Sequence, residues 1–197
     1  TTTVANAWET LTFNFANQAA GTAALNLAFT YNKASVFFAF GTTGAAGGAG
    51  TYYFDELNFV AGGGGGGGGG GTVAGLPIDF DTAGVTYTLT GFGGAEDATV
   101  VAGVAGANGS VARVVKSATA ELWAGTTVST GANQSIATIP FTATARSMTL
   151  RVRAPAAGIV VRLKVEDAAD PTRSVETEAT TTVANAWETL TFNFANQ

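Results

Sequence analysis

The chain lacks cysteine and histidine altogether. Without cysteine it has neither a disulfide framework nor a thiolate metal site. Without histidine it has no imidazole to act as a general base, to complete a Ser-His-Asp triad or to bind a transition metal. We therefore expect a protein that is not an enzyme and that binds no transition metal.

Long apolar runs are also missing, and so is a positively charged start followed by an apolar stretch. The sequence thus predicts neither a membrane span nor a signal peptide. A net charge of -5 gives no attraction to phosphate backbones or anionic lipids, so nucleic acid and membranes are not expected partners. Threonine, alanine, glycine and valine dominate while lysine is scarce, a composition that favours a secreted bacterial β-protein located outside the cell or on its surface.

The two ends of the chain have the same sequence. Residues 1–18 read TTTVANAWETLTFNFANQ, and residues 180–197 repeat these letters without a mismatch, at an offset of 179 residues (180 minus 1). Eighteen consecutive identities indicate a tandem array of near-identical units, with neighbouring copies of the module as partners. An artificially duplicated segment is the alternative.

A glycine-rich stretch divides the repeat. Residues 61–75 contain ten consecutive glycines, Gly62 to Gly71, which cannot bury side chains and are costly to order. We expect a flexible poly-glycine linker between modules. Residues 1–60 would then be the C-terminal part of one β-sandwich repeat, and residues 76–197 the N-terminal part of the next.

Alternation of apolar and polar residues recurs along the rest of the chain and predicts short β-strands. The clearest cases are Met148, Leu150 and Val152, and then Val161 to Val165. Further strands are predicted at 36–40, 51–59, 78–80, 85–89, 98–104, 111–116, 121–128, 136–141, 175–182 and 187–194. About ten such strands in one repeat favour an all-β, two-sheet sandwich.

Three stretches carry a family resemblance. They are VRLKVEDAADPTRSVETEATTTVANAWETLTFNF at Val161–Phe194, GTYYFDELNFV at Gly50–Val60 and LPIDFD at Leu76–Asp81. Together they resemble the jelly-roll carbohydrate-binding modules of bacterial polysaccharide-degrading and surface proteins. The resemblance implies an antiparallel jelly-roll sandwich, here in permuted order across the glycine linker, and a polysaccharide as partner.

Modules of this kind stack aromatic rings on sugar rings, so the resemblance suggests tentative carbohydrate-binding residues. These are Trp123, Trp187, Tyr31, Tyr52 and Tyr87. For each ring, packing in the core or at its rim is the alternative.

The resemblance also implies a structural calcium ion. Its tentative ligands are Asp55 and Glu56, with help from Asp79 and Asp81, because calcium takes six to eight oxygen ligands. Solvated acids at strand ends are the alternative.

Charged residues form a second pattern. Arg151, Arg153, Arg162 and Lys164 form a cationic stripe across one predicted hairpin, and Glu176 and Glu178 lie on the next strand. Cross-strand ion pairs are the simpler interpretation, and a ligand groove is the alternative.

Two functions remain open. In the first, the chain is a non-catalytic repeat module of an extracellular structural or adhesive protein, which assembles into a fibre or stalk by strand sharing. Its assembly strand would present Val183, Trp187, Leu190, Phe192 and Phe194 to the neighbouring module. In the second, the chain is a carbohydrate-binding module that directs an attached enzyme to a polysaccharide.

Overall fold

A computed structural model describes residues 21–61 and 75–194, and the glycine run and residues 1–18 lie outside this part of the chain. The described residues form ten strands and two short helical turns, Gly44–Gly48 and Ala132–Gln134. The strands are β1 Lys33–Phe38, β2 Gly50–Val60, β3 Thr88–Phe92, β4 Asp97–Val101, β5 Val111–Lys116, β6 Gly125–Ser129, β7 Ser147–Arg153, β8 Val160–Asp167, β9 Asp170–Thr180 and β10 Trp187–Asn193. No helix among these residues is long and apolar enough to cross a membrane.

The strands form two antiparallel sheets of five strands each. Sheet A has the order β3-β6-β1-β8-β9, and sheet B has the order β10-β7-β2-β5-β4. The predicted all-β sandwich is therefore confirmed. β1 and β2 lie at the centres of the two sheets, although they come first in the chain.

The path of the chain is a permuted jelly roll. When the strands are followed in the order β5 to β10 and then β1 and β2, each strand lies in the other sheet from the strand before it. The exception is β9, which follows β8 within sheet A. Two backbone hydrogen bonds join Leu57 and Ile78, at 2.9 and 3.1 Å, on either side of the glycine run. The run therefore connects two points of the chain that already lie side by side.

Alternation fixes which side chains enter the core between the sheets. Met148, Leu150 and Val152 of β7 are fully buried, as predicted, and so are Val161 to Val165 of β8 at every second position. Burial of each such side chain contributes about 1.5–3 kcal/mol.

Some predicted strands are absent or shorter. Residues 136–141 form no strand, although the Ile136 and Ile139 N–H groups donate to the Asn32 and Tyr31 carbonyls, at 2.7 and 2.8 Å. The segment at 78–80 is reduced to one bridge at Ile78, and the strand predicted from residue 85 starts at Thr88.

Candidate functional site

A groove of about 780 Å³ runs along the outer face of sheet A. Side chains that point away from the core form its floor, among them Ser35 of β1 and Thr127 of β6, whose hydroxyl oxygens lie 2.9 Å apart. The groove is apolar and aromatic at one end and charged at the other. It is therefore a concave surface that offers both flat rings and hydrogen-bonding groups.

Four aromatic rings form the apolar end. Trp123 stacks on Phe92, with ring centroids 6.2 Å apart and an angle of 16° between the planes. Phe37 meets Phe92 and Phe40 edge to face, at 5.5 and 5.7 Å. Phe37 is buried, whereas Trp123 is 48% exposed. The indole of Trp123 is thus held by its neighbours and remains open to a ligand.

A glycine allows this position of the indole. Trp123 lies in a turn before β6, and Glu121 in the same turn donates its N–H to the Gly93 carbonyl at 2.8 Å. Gly93 has a φ of 65°, and a Cβ at this position would stand 2.8 Å from Cζ3 of Trp123. A side chain at residue 93 would displace the ring.

Arg162 connects the aromatic end to the charged end. Its guanidinium carbon lies 3.5 Å from the centroid of the Phe40 ring, within cation–π range. Its nitrogens reach Glu176 and Glu178 of β9, each at 2.7 Å. The predicted cross-strand ion pairs are confirmed for this arginine.

Glu166 is the buried carboxylate of the charged end. It pairs with Lys33 at 2.9 Å and with Lys164 at 2.6 Å. Burial alone would raise the pKa of Glu166, but the ammonium groups of the two lysines outweigh it and hold the pKa below its usual range. Glu166 is therefore ionised at neutral pH, and each ammonium keeps N–H groups beyond this pair.

The predicted stripe of four cations on one hairpin is wrong in one respect. β7 belongs to sheet B and β8 to sheet A, so Arg151 and Arg153 lie on the opposite outer face from Arg162 and Lys164. The groove receives only the two cations of β8, together with Lys33.

Trp187 lies on the outer face of sheet B. Its indole N–H donates to the Ala105 carbonyl at 3.0 Å, and the Arg151 guanidinium covers the ring at 4.7 Å. Tyr53 flanks it at 6.5 Å. The two candidate tryptophans thus belong to different surfaces, and the ring of Trp187 is already covered by an arginine.

The three candidate tyrosines occupy two kinds of position. Tyr31 and Tyr52 are each 1% exposed and belong to the core, where Tyr52 stacks on Phe38 at 4.7 Å, so neither offers a ring face to a sugar. Tyr87 is half-buried and donates its hydroxyl to Asp79 at 2.9 Å. It lines a second, smaller groove of about 450 Å³.

The calcium candidates divide into two groups. Asp55 is buried beside Glu56 and Asp81, and burial raises the pKa of Asp55 to about 6. Asp79 instead closes its own turn, because its carboxylate accepts hydrogen bonds from Asp81, Thr82 and Tyr87, and these hold its pKa below the usual range.

Within residues 21–61 and 75–194, no three histidine, cysteine, aspartate or glutamate side chains converge as a metal site. Calcium also takes backbone carbonyl oxygens, so the calcium site at Asp55 stays a prediction. The Asp79 oxygens accept hydrogen bonds within their own turn, and the part of Asp79 in the calcium site likewise stays a prediction.

The expected assembly strand lies in the sandwich of its own chain. Leu190, Phe192 and Phe194 are buried in the core, whereas Val183 is 38% exposed and fills no core position. Strand sharing between modules stays a prediction.

Comparison with known proteins found no matching family model, no matching curated protein and no matching solved structure.

The sequence analysis missed several groove residues, namely Phe37, Phe92, Phe40, Lys33 and Glu166. Phe37 follows Lys33 and Ser35 at every second position of β1, on the face opposite Ala34, Val36 and Phe38. That alternation could have placed Phe37 on the same outer face as Lys33 and Ser35. Its contact with Phe92 depends on the pairing of β1 and β3 with β6, which the sequence does not specify.

Proposed function

We propose that this chain is a non-catalytic, adhesive module of an extracellular repeat protein, and that the groove on sheet A binds a polysaccharide. The observation that carries the proposal is the half-exposed indole of Trp123, fixed at one end of a groove that is charged at the other end. Aromatic rings pack against the apolar faces of sugar rings. The ion-paired Lys33, Lys164 and Arg162 supply donors for hydroxyl groups at the other end.

The size and composition of the groove support a ligand of this class. Binding sites for small molecules commonly enclose about 300–1,000 Å³, a range that includes this groove. The groove charges are paired internally, so a neutral or weakly charged chain rich in hydroxyl groups fits better than a strongly charged one.

The test is affinity electrophoresis through gels that contain a β-glucan, a xylan or a polyuronate. We expect at least one polysaccharide to retard the protein and Trp123→Ala to weaken binding by about 2- to 10-fold, the range for an aromatic pair. Trp123→Phe should restore part of the loss. Trp187→Ala is the matched control, since Trp187 lies on the other sheet. Equal losses in both alanine variants, or no retardation by any glycan, would reject the proposal.

A second candidate function is assembly into a fibre or stalk by strand sharing. Two observations support it: β10 is an edge strand of sheet B, and its sequence occurs a second time at residues 1–18. Edge strands are the usual places for a strand to be added or exchanged. Light scattering should then show a mass that rises with protein concentration, and electron microscopy should show fibres. A strictly monomeric chain at high concentration would remove this candidate.

A further inference from the structure

The site that holds β10 has two candidate occupants of identical sequence in one chain. β10 pairs with β7 in a continuous register, from Trp187 opposite Arg153 to Asn193 opposite Ser147. It inserts Leu190 and Phe192 into the core, and Phe194, directly after the strand, is also buried there and donates its N–H to the Arg146 carbonyl at 2.8 Å. Each side chain of β10 recurs 179 residues earlier, so that Phe13 corresponds to Phe192.

The repeated segment also carries its own local interactions. Glu188 accepts hydrogen bonds from the N–H groups of Thr182 and Val183, at 3.0 and 3.3 Å. All three residues lie inside the repeat, so the first copy contains the same set. Some hydrogen-bond partners of the segment lie outside the repeat, such as Ala154, whose carbonyl accepts the Asn185 N–H at 2.7 Å. Ala154 lies between the two copies in the sequence, so the same carbonyl is available to either copy.

We propose that the β10 site is an exchange site, in which Thr1–Gln18 can replace Thr180–Gln197. This inference deepens the strand-sharing candidate and does not depend on the sugar groove. The segment that joins the first copy to β1 is long enough for the first copy to reach the β10 site. Phe194 and Tyr31 both contact the Phe141 ring, at 5.2 and 5.6 Å, so their centroids lie within about 11 Å of each other. Phe15, which corresponds to Phe194, precedes Tyr31 by 16 residues, and such a segment can span roughly 50 Å.

The two occupants differ only in how they are tethered. Thr180 ends β9, so the second copy enters the site directly, whereas the first copy is joined to β1 through residues 19–32. The shorter tether gives the second copy the higher effective concentration. When the second copy is weakened, the first copy should take its place. A first copy from another chain has the same sequence and would make the same contacts in the β10 site. It would therefore link two molecules.

The test is a double-mutant cycle on the full chain, with Phe192→Ala and Phe13→Ala. Loss of a buried phenylalanine should lower the occupancy of the altered copy by roughly 100-fold or more. We expect Phe13→Ala alone to leave the urea midpoint unchanged, and to lower it clearly when Phe192 is also alanine. In a Leu163→Ala chain, which is weakened at a core position that occurs once, Phe13→Ala should have no effect. If Phe13→Ala leaves the urea midpoint unchanged in the wild-type, Phe192→Ala and Leu163→Ala chains alike, the proposal is overturned.

Two further arms complete the experiment. If the double alanine variant does not fold, the milder pair Phe192→Leu and Phe13→Leu repeats the cycle with the same expected coupling. Exchange between chains is probed with a synthetic peptide of the shared 18-residue sequence added to the double variant. The peptide should raise the urea midpoint, and a peptide with alanine at the position of Phe192 should not. If the two peptides act equally, an added strand does not fill the site, which contradicts exchange between chains.

Discussion

Replacement of Asp55 by asparagine should stabilise the folded chain at neutral pH. Asp55 is 2% exposed, and its Oδ1 accepts the Glu56 N–H at 2.8 Å. Its nearest cation, Nη1 of Arg151, stands 3.8 Å from Oδ2, too far for a hydrogen bond. Burial raises the pKa of Asp55 to about 6, and repulsion from Glu56 and Asp81 acts in the same direction. The ionised carboxylate therefore costs stability.

The magnitude follows from this pKa. A change from 3.8 to about 6 is roughly two pKa units, or about 3 kcal/mol at 1.36 kcal/mol per unit. The folded state binds more protons than the unfolded state in this window. The cost is therefore absent below about pH 4, grows as the pH rises to about 6, and is constant above it. We expect Asp55→Asn to be about 1–3 kcal/mol more stable than the wild type at pH 7, and equally stable near pH 3.5.

The assay is urea denaturation from pH 3.5 to 8 in the presence of a chelator, with Asp97→Asn as control. Asp97 is an exposed partner of Arg113, so its replacement should change stability little. A less stable Asp55→Asn at pH 7, or a difference that does not vary with pH, would refute the reasoning. Calcium provides a second arm, since a cation bound at Asp55 would stabilise the wild type and not the variant. Unchanged curves for both proteins in calcium would reject the calcium site.

Three further predictions concern other parts of the molecule. Lys116 is 2% exposed and donates to the carbonyls of Phe38, Ala39 and Thr42, so Lys116→Met should lower the free energy of unfolding by about 2–4 kcal/mol, measured in urea. An unchanged free energy would show that these bonds contribute nothing net. Gly93→Ala should weaken polysaccharide binding by displacing Trp123. Gly103→Ala, also at positive φ but with open space around it, should not. Equal binding by the two variants would contradict the role of Gly93. The purified protein should release no reducing sugar from common polysaccharides, and release above that of a heat-killed control would show that it is an enzyme.

The strands with one face in the core could be predicted because their periodicity is fixed by burial. β7 alternates over its whole length and β8 alternates in burial from Val160 to Val165, and the buried positions of β10 likewise follow the sequence pattern. β2 shows the limit of this argument. A change of register between Asp55 and Asn58 shifts the alternation, and Tyr52 and Tyr53 are adjacent tyrosines on opposite faces. Periodicity alone does not say which of the two is buried.

The groove could be predicted only in part, because it is built from strands that are distant in the chain. Trp123 was a candidate as an aromatic residue, but the sequence placed it in a strand rather than in the turn before β6. Arg162 and Glu176 were paired correctly from their alternation on neighbouring strands. Phe92 enters the groove because β3 pairs with the far side of β6, and only the sheet order reveals that pairing.

The most direct test of the central claim is to map the bound glycan on the protein. Backbone amide NMR shifts would be followed while an oligosaccharide of the most retarding polysaccharide is added. We predict that the largest changes fall on the outer face of sheet A, at Ser35, Thr127 and Arg162 and around the indole N–H of Trp123. Changes centred on Trp187 and sheet B, or saturation without any change in the groove, would contradict the account.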